Sequence, residues 1–221
     1  MKRVSFLAIF AFLSLFILAN SGAEAVNISF AEKFAATGVT GDTGAYTFDR
    51  AHSFIGFKVK HMGLVEVPGF FRDFTGTVNY DAKDVTRSTV EFTAKTTSVD
   101  TGVAPRDKHL RTTDFFDVEK YPELTFKSTK IEKKGKNLLV TGDLTIKGVT
   151  KSVAIPFQIA GWIDNDRGIR MGIAAETTVN RKDYGVNYGK TLPGGIAELS
   201  NDVKIVLQIE AGKAKAPPKA E

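Results

Sequence analysis

The stretch SFIGFKVKH, Ser53 to His61, alternates without a break. Ile55, Phe57, Val59 and His61 fall on one side of an extended chain, and Phe54, Lys58 and Lys60 fall on the other. Successive side chains of a strand point to opposite faces, so this period of two marks a half-buried β-strand. The same alternation recurs on moving outward from it. STVEFTAK (88–95) sets Val90, Phe92 and Ala94 against Glu91, Thr93 and Lys95, and Leu124 and Phe126 open a further strand. NLLVTGDLTIKG (137–148) and KSVAIPFQIAG (151–161) read as a hairpin turned at Gly148-Val149-Thr150. RMGIAAETTV (170–179) follows, and NDVKIVLQIEAG (201–212) presents Val203, Ile205, Leu207 and Ile209 on one side. Eight or nine such runs with one short helix predict an all-β domain, either a sandwich or a closed barrel. Several runs approach about ten residues, and closure removes the edges that long apolar strands expose, which favours the barrel.

The remaining segments bound the domain. Met1-Lys2-Arg3, an apolar run from Val4 to Ala19 and the small-x-small Ala23-Glu24-Ala25 predict a signal peptide over 1–25. Residues 26–43 read as a small, polar lead segment, 44–211 as the barrel, and the Lys/Ala/Pro-rich 212–221 as a disordered tail. Export alone permits a periplasmic or a secreted protein. With no cysteine, the core alone must hold the domain together, and thiolate chemistry is excluded. The formal net charge of +5 is not gathered into a basic stripe, which argues against nucleic acid as a partner.

Catalytic constellations are weak. His52, His61 and His109 are the only imidazoles, and none has zinc-ligand or metalloprotease spacing, so no metal site is expected. There is no G-x-S-x-G elbow. RDKHLRTTDFFDVEKYPELTFKS (106–128) begins as a helix and ends as a strand, with Asp114 and Asp117 suited to capping and turn formation. That segment predicts a short helix near 105–114 that braces the barrel, with Phe115 and Phe116 as the wedge.

Four motifs in order carry a family likeness: YTFDRAHSFIGFKVKHMG (46–63), RDKHLRTTDFFDVEKYPELTF (106–126), VTGDLTIKGVTKSVAIPF (140–157) and VNRKDYGVNYG (179–189). Together they resemble the YceI-like family of exported polyisoprenoid-binding proteins over about Ala45 to Ala211. Tyr184 stands where that family's motif leads one to expect phenylalanine, and Tyr188 lies where a tryptophan is often found. The resemblance, to a bacterial family, implies an extended eight-stranded antiparallel lipocalin-like barrel, a homodimer and a periplasmic location, with secretion as the alternative. It also implies a long-chain isoprenoid, either a polyprenyl phosphate or an isoprenoid quinone, held in an apolar tunnel with no other cofactor. The expected function is then binding, transport or sequestration without catalysis, with transient membrane contact. The alternative is an exported stress-response or interaction module whose barrel is filled. The tunnel-lining candidates are Phe54, Phe57, Val59, Phe71, Phe74, Val90, Phe92, Phe126, Val140, Leu144, Ile155, Phe157, Ile173 and Val206. The candidates for the mouth and the head group are His52, Arg106, His109, Arg181, Lys182 and Asn187.

Overall fold

The computed structural model describes residues 39–135 and 137–213. The expectations for 1–25, for most of the lead segment and for the tail beyond 213 lie outside the described residues. Eleven strands follow one another: β1 (Gly44–Phe48), β2 (Phe54–His61), β3 (Val65–Phe71), β4 (Phe74–Tyr80), β5 (Thr89–Lys95), β6 (Val99–Asp100), β7 (Glu123–Lys134), β8 (Asn137–Ile146), β9 (Val149–Asn165), β10 (Gly168–Asn180) and β11 (Leu199–Lys213). The one α-helix among the described residues, α1 (Ala104–Leu110), ends earlier than the sequence suggests, and hydrogen-bonded turns continue from it to Tyr121.

The pairing resolves these strands into eight staves. β1 with β2, β3 with β4, and β5 with β6 each behave as one bent strand: β1 pairs with β4 while β2 pairs with β3, and β4 pairs with β5 while β3 pairs with β6. β7 to β11 then pair in sequence order, and β11 closes the ring on β1 and β2. The result is a closed eight-stranded antiparallel barrel with up-and-down connections. The bends fall at one level, where short 3-10 turns (Arg50–His52 and Thr96–Ser98) interrupt the strands. Asp73 ties them together, accepting from Arg50 at 2.6 Å and donating its backbone N–H to Ser98 Oγ at 3.0 Å. The β8–β9 hairpin turns on Lys147-Gly148 rather than on Gly148-Val149-Thr150, because Ile146 pairs with Val149 and both turn residues have positive φ, as a tight primed turn requires.

Inward positions form one core, from Tyr46 at one end to Leu124, Leu144 and Tyr184 at the other. The Tyr46 end is plugged. Tyr46 and Tyr80 meet Trp162 edge-on or tilted, with ring centres 5.5 and 4.8 Å away, over the fully buried Met171. The described part of the lead segment joins this plug. Tyr46 Oη donates to Asp42 O, and Gly41 lies so close to the Trp162 ring that a Cβ there would sit 2.2 Å from it.

Candidate functional site

At the other end the interior is not filled. An apolar chamber of about 340 Å³ opens under α1 and the turns that follow it, and a smaller pocket of about 70 Å³ continues toward the plug. Ile55 and Phe92 border both, so they form the waist between them. Alternation explains which residues reach this space. From β2 it is Ile55, Phe57 and Val59, and from β11 it is Val203, Ile205, Leu207 and Ile209. Phe57, Val59, Phe71, Phe92 and Leu144 line the upper chamber, and Val90, Phe126, Val140, Ile155, Phe157 and Ile173 line the lower one together with Phe92.

Three of the candidate lining residues do not border either chamber. Phe54 and Val206 have the wrong parity, being one residue out of step with Ile55 and Leu207 on the same strands. Phe54 instead packs edge-on against Phe70, with ring centres 5.6 Å apart. Phe74 is buried, but it fills the core where β4 pairs with Ala94 and leaves no space beside it. The wedge is asymmetric. Phe116 reaches Phe71 and Phe57, with ring centres 5.4 and 6.4 Å away, while Phe115 packs with His109 and Tyr188 at the rim.

Ser88 and Tyr80 line the lower pocket, but the charged and histidine side chains lie at the open end, where His61, Arg106, His109, Arg181 and Glu198 border the chamber beside Thr101, Tyr184 and Tyr188. Arg106, on α1, is anchored by Nε to Thr101 Oγ1 at 2.7 Å and by Nη2 to Thr101 O at 2.9 Å. His109 is half exposed and hydrogen-bonds Asp114 at 2.8 Å. Arg181 is only 7% exposed. Its guanidinium donates to the carbonyls of Ser200, Val186 and Leu199, and burial pulls its pKa below the usual arginine value. Tyr184, three residues on, is 2% exposed, and its hydroxyl has no hydrogen-bond partner among the described residues. Burial, followed by the nearby Asp183 charge, pushes its pKa up to about 12. An unsatisfied buried hydroxyl costs roughly 1–3 kcal/mol. Sequence reasoning passed over Tyr184, whose only signal was its departure from the phenylalanine of the motif.

The other mouth candidates lie elsewhere. Lys182 and Asn187 are exposed and do not border the chamber. His52 sits at the far end of β2 from His61, nine residues of extended chain and so roughly 30 Å away. It lines a polar cleft with Asp49, Asn165, Asp166, Arg167, Arg170 and Glu210. There its Nδ1 lies 3.1 Å from Asp49 Oδ2. Ligand atoms of Asp49, His52 and Glu210 come within 4.8 Å of one another, a spacing a metal could use. Arg170, however, already serves these carboxylates, at 2.9 Å from Asp49 and 3.4 Å from Glu210. Among the described residues, neither His52 nor His109 hydrogen-bonds a hydroxyl that it could activate as a nucleophile.

The YceI-like domain family matches residues 46–211. The chain belongs to that family. It is 39% identical to protein YceI of Escherichia coli over 165 residues, covering 74% of this chain and 83% of that one. Burkholderia cenocepacia BcnA is similar in structure, with TM-score 0.64 and 25% identity over 74% of this chain and 98% of the other. A polyisoprenoid binding domain from Saccharophagus degradans shares the fold at TM-score 0.56 and 16% identity, over 77% of this chain and 98% of the other. In this YceI-like chain the barrel brings an apolar interior and a charged open end together in one cavity.

Proposed function

We propose that this protein binds a long-chain isoprenoid lipid, with the tail in the barrel and the head under the open end, and carries or sequesters it. One observation carries the reading: an apolar interior with aromatic rings at one end and its charged side chains at the other. Such a chamber suits an amphiphile. Each methylene-sized unit moved from water into it gains roughly 0.8 kcal/mol, and the cost of ordering the chain trims that gain. About 340 Å³ lies at the lower end of small-ligand pockets. A long tail therefore has to part the Ile55–Phe92 waist and use the lower pocket as well. The Saccharophagus domain of the same fold, described as polyisoprenoid binding, makes this lipid class the first to test. The open chamber also speaks against the filled-barrel interaction module.

The same reading includes a homodimer, a periplasmic location and loading from a membrane. Leu64, Val65, Val103, Tyr188 and Ile196 are large, exposed apolar side chains. Val65 begins β3, and the others lie on turns and loops around the opening. Met62, beside Leu64, donates to Glu198 O, two residues beyond Ile196.

Native mass spectrometry of detergent-free protein, followed by solvent extraction, tests the reading. A stoichiometric isoprenoid lipid is expected. If none is found and added polyprenyl lipids also fail to bind, the carrier reading falls.

A further inference from the structure

Two groups in the upper chamber have unmet demands. Arg181 brings a full positive charge into a nearly dry site, yet its partners are three carbonyl oxygens, and no carboxylate pairs with it among the described residues. A guanidinium has five N–H donors, so three bonds leave two free. Tyr184 brings a hydroxyl that is fully buried and has no hydrogen-bond partner among the described residues. The two sit at the first and last positions of one 3-10 turn, Arg181–Tyr184, and residues three apart in a 3-10 turn eclipse one another. Both border the same chamber. The charge around them favours an anion: two guanidiniums, Arg181 and Arg106, face the chamber against one carboxylate, Glu198, whose Oε2 is engaged by the Lys190 N–H.

We propose that Arg181 and Tyr184 form a buried oxyanion subsite that holds the anionic head group, a carboxylate or a phosphate ester, of the isoprenoid ligand beneath the rim. The proposal rests on the lipid-binding reading and deepens it by selecting acidic heads over neutral alcohols and quinones. The Tyr184 hydroxyl, protonated at neutral pH like any phenol, is a donor without an acceptor among the described residues. An anionic oxygen supplies the acceptor that the hydroxyl lacks and the counter-charge that Arg181 lacks. A neutral hydroxyl head supplies only the first. Gly189 stands near this site, with the place of its absent Cβ 3.5 Å from Arg181 Nη2, so the loop that covers the guanidinium approaches with minimal bulk.

The test compares geranylgeranyl phosphate, geranylgeranoic acid and geranylgeraniol, which share one tail, below their aggregation concentrations, using wild type and Tyr184→Phe. In wild type the better of the two acidic lipids is expected to bind at least about tenfold tighter than the alcohol, since hydrogen bonds between charged groups are the strong ones. Which of the two leads identifies the head as carboxylate or phosphate. Tyr184→Phe is expected to shrink that advantage about fivefold, the difference between one hydrogen bond to a charged acceptor and one to a neutral acceptor. Because the substitution removes an unsatisfied group, the empty variant should melt no lower than wild type. A purely structural tyrosine would show the reverse, a lower melting point and an unchanged ratio. Equal binding of alcohol and acids by wild type, or an unchanged ratio in Tyr184→Phe, overturns the subsite while leaving lipid binding intact. Failure of all three lipids to bind overturns both.

Discussion

Asp49 joins three parts of the chain through one carboxylate. It accepts from the Ala51 N–H at 3.0 Å, faces His52 and takes a bond from Arg170 at 2.9 Å, with Arg170 reaching on to Glu210. These contacts, the His52 hydrogen bond first and the Arg170 bond among the rest, hold its pKa below the ordinary 3.8. A depressed carboxylate contributes stability above its ordinary pKa and loses it as the pH falls through the lower folded value. Asp49→Asn should therefore cost about 1–2 kcal/mol at pH 7, the range for a half-buried charged hydrogen bond. Urea unfolding of the two proteins should converge as the pH drops below about 3.8, and a gap that persists there would exclude the charge as its source. Tyr184 has the opposite sign. Its pKa is raised from 10.0 to about 12, so the unfolded chain ionises first, and the fold is unaffected below pH 10 but loses stability as the pH rises toward 12. Burial raises Tyr46 and Tyr80 as well, so absorbance titration should show several late phenols, of which Tyr184→Phe removes one, and the variant should lose less stability across that window. These groups were hard to read in the sequence. His52 and Arg170 lie far apart along the chain, and a tyrosine in place of a phenylalanine says nothing about whether its hydroxyl finds a partner.

At the scale of elements, alternation was legible and its sign was not. The hairpin of β8 and β9, the long β11 and the period of β2 all follow from which residues share a face. A period of two leaves open which face turns inward, so Phe54 and Phe57, or Val206 and Leu207, stand as equal candidates until the barrel is closed. Bulges hide a second step. Between Ser128 and Lys130 the β7–β8 register shifts, so inward parity moves from Phe126 to Ile131, and nothing in the composition of the strand signals it. Gly142 sits opposite that shift. A Cβ there would meet Lys127 O and the Phe126 ring at 2.5 Å, and a backbone oxygen cannot swing away. Gly142→Ala should therefore destabilise by about 1–3 kcal/mol, the usual cost of overpacking. Glycine in a strand is otherwise a weak residue, and alanine would be expected to stabilise it. An unfolding midpoint that rises in Gly142→Ala would mean that the bulge relaxes and that the close approach is not needed.

Across the whole molecule, closure assigns a role to each end. The order of eight staves seals one mouth with Tyr46, Tyr80 and Trp162, and the turns after β2, β6 and β10 frame the other. No single run of sequence shows this, because the rim gathers residues 64 to 196 from separate loops. If the barrel carries an isoprenoid, as proposed, loading from a bilayer is the step that the exposed rim apolars suit. Leu64 is 79% exposed and Ile196 48%, on a turn and a Gly-rich loop that can enter the head-group layer. Burying one such side chain is worth up to about 1.5–3 kcal/mol, whereas a carboxylate in its place opposes entry. Leu64→Asp with Ile196→Asp should thus slow transfer of a fluorescent isoprenoid from vesicles by about tenfold or more. Neither residue borders the chamber, so affinity for a short-tailed probe delivered through water should hold. If transfer keeps its wild-type rate, the lipid reaches the barrel through solution and the rim has another partner. A second copy of the chain is then the occupant to look for, and sedimentation of wild type against the double variant would reveal it as a lost dimer.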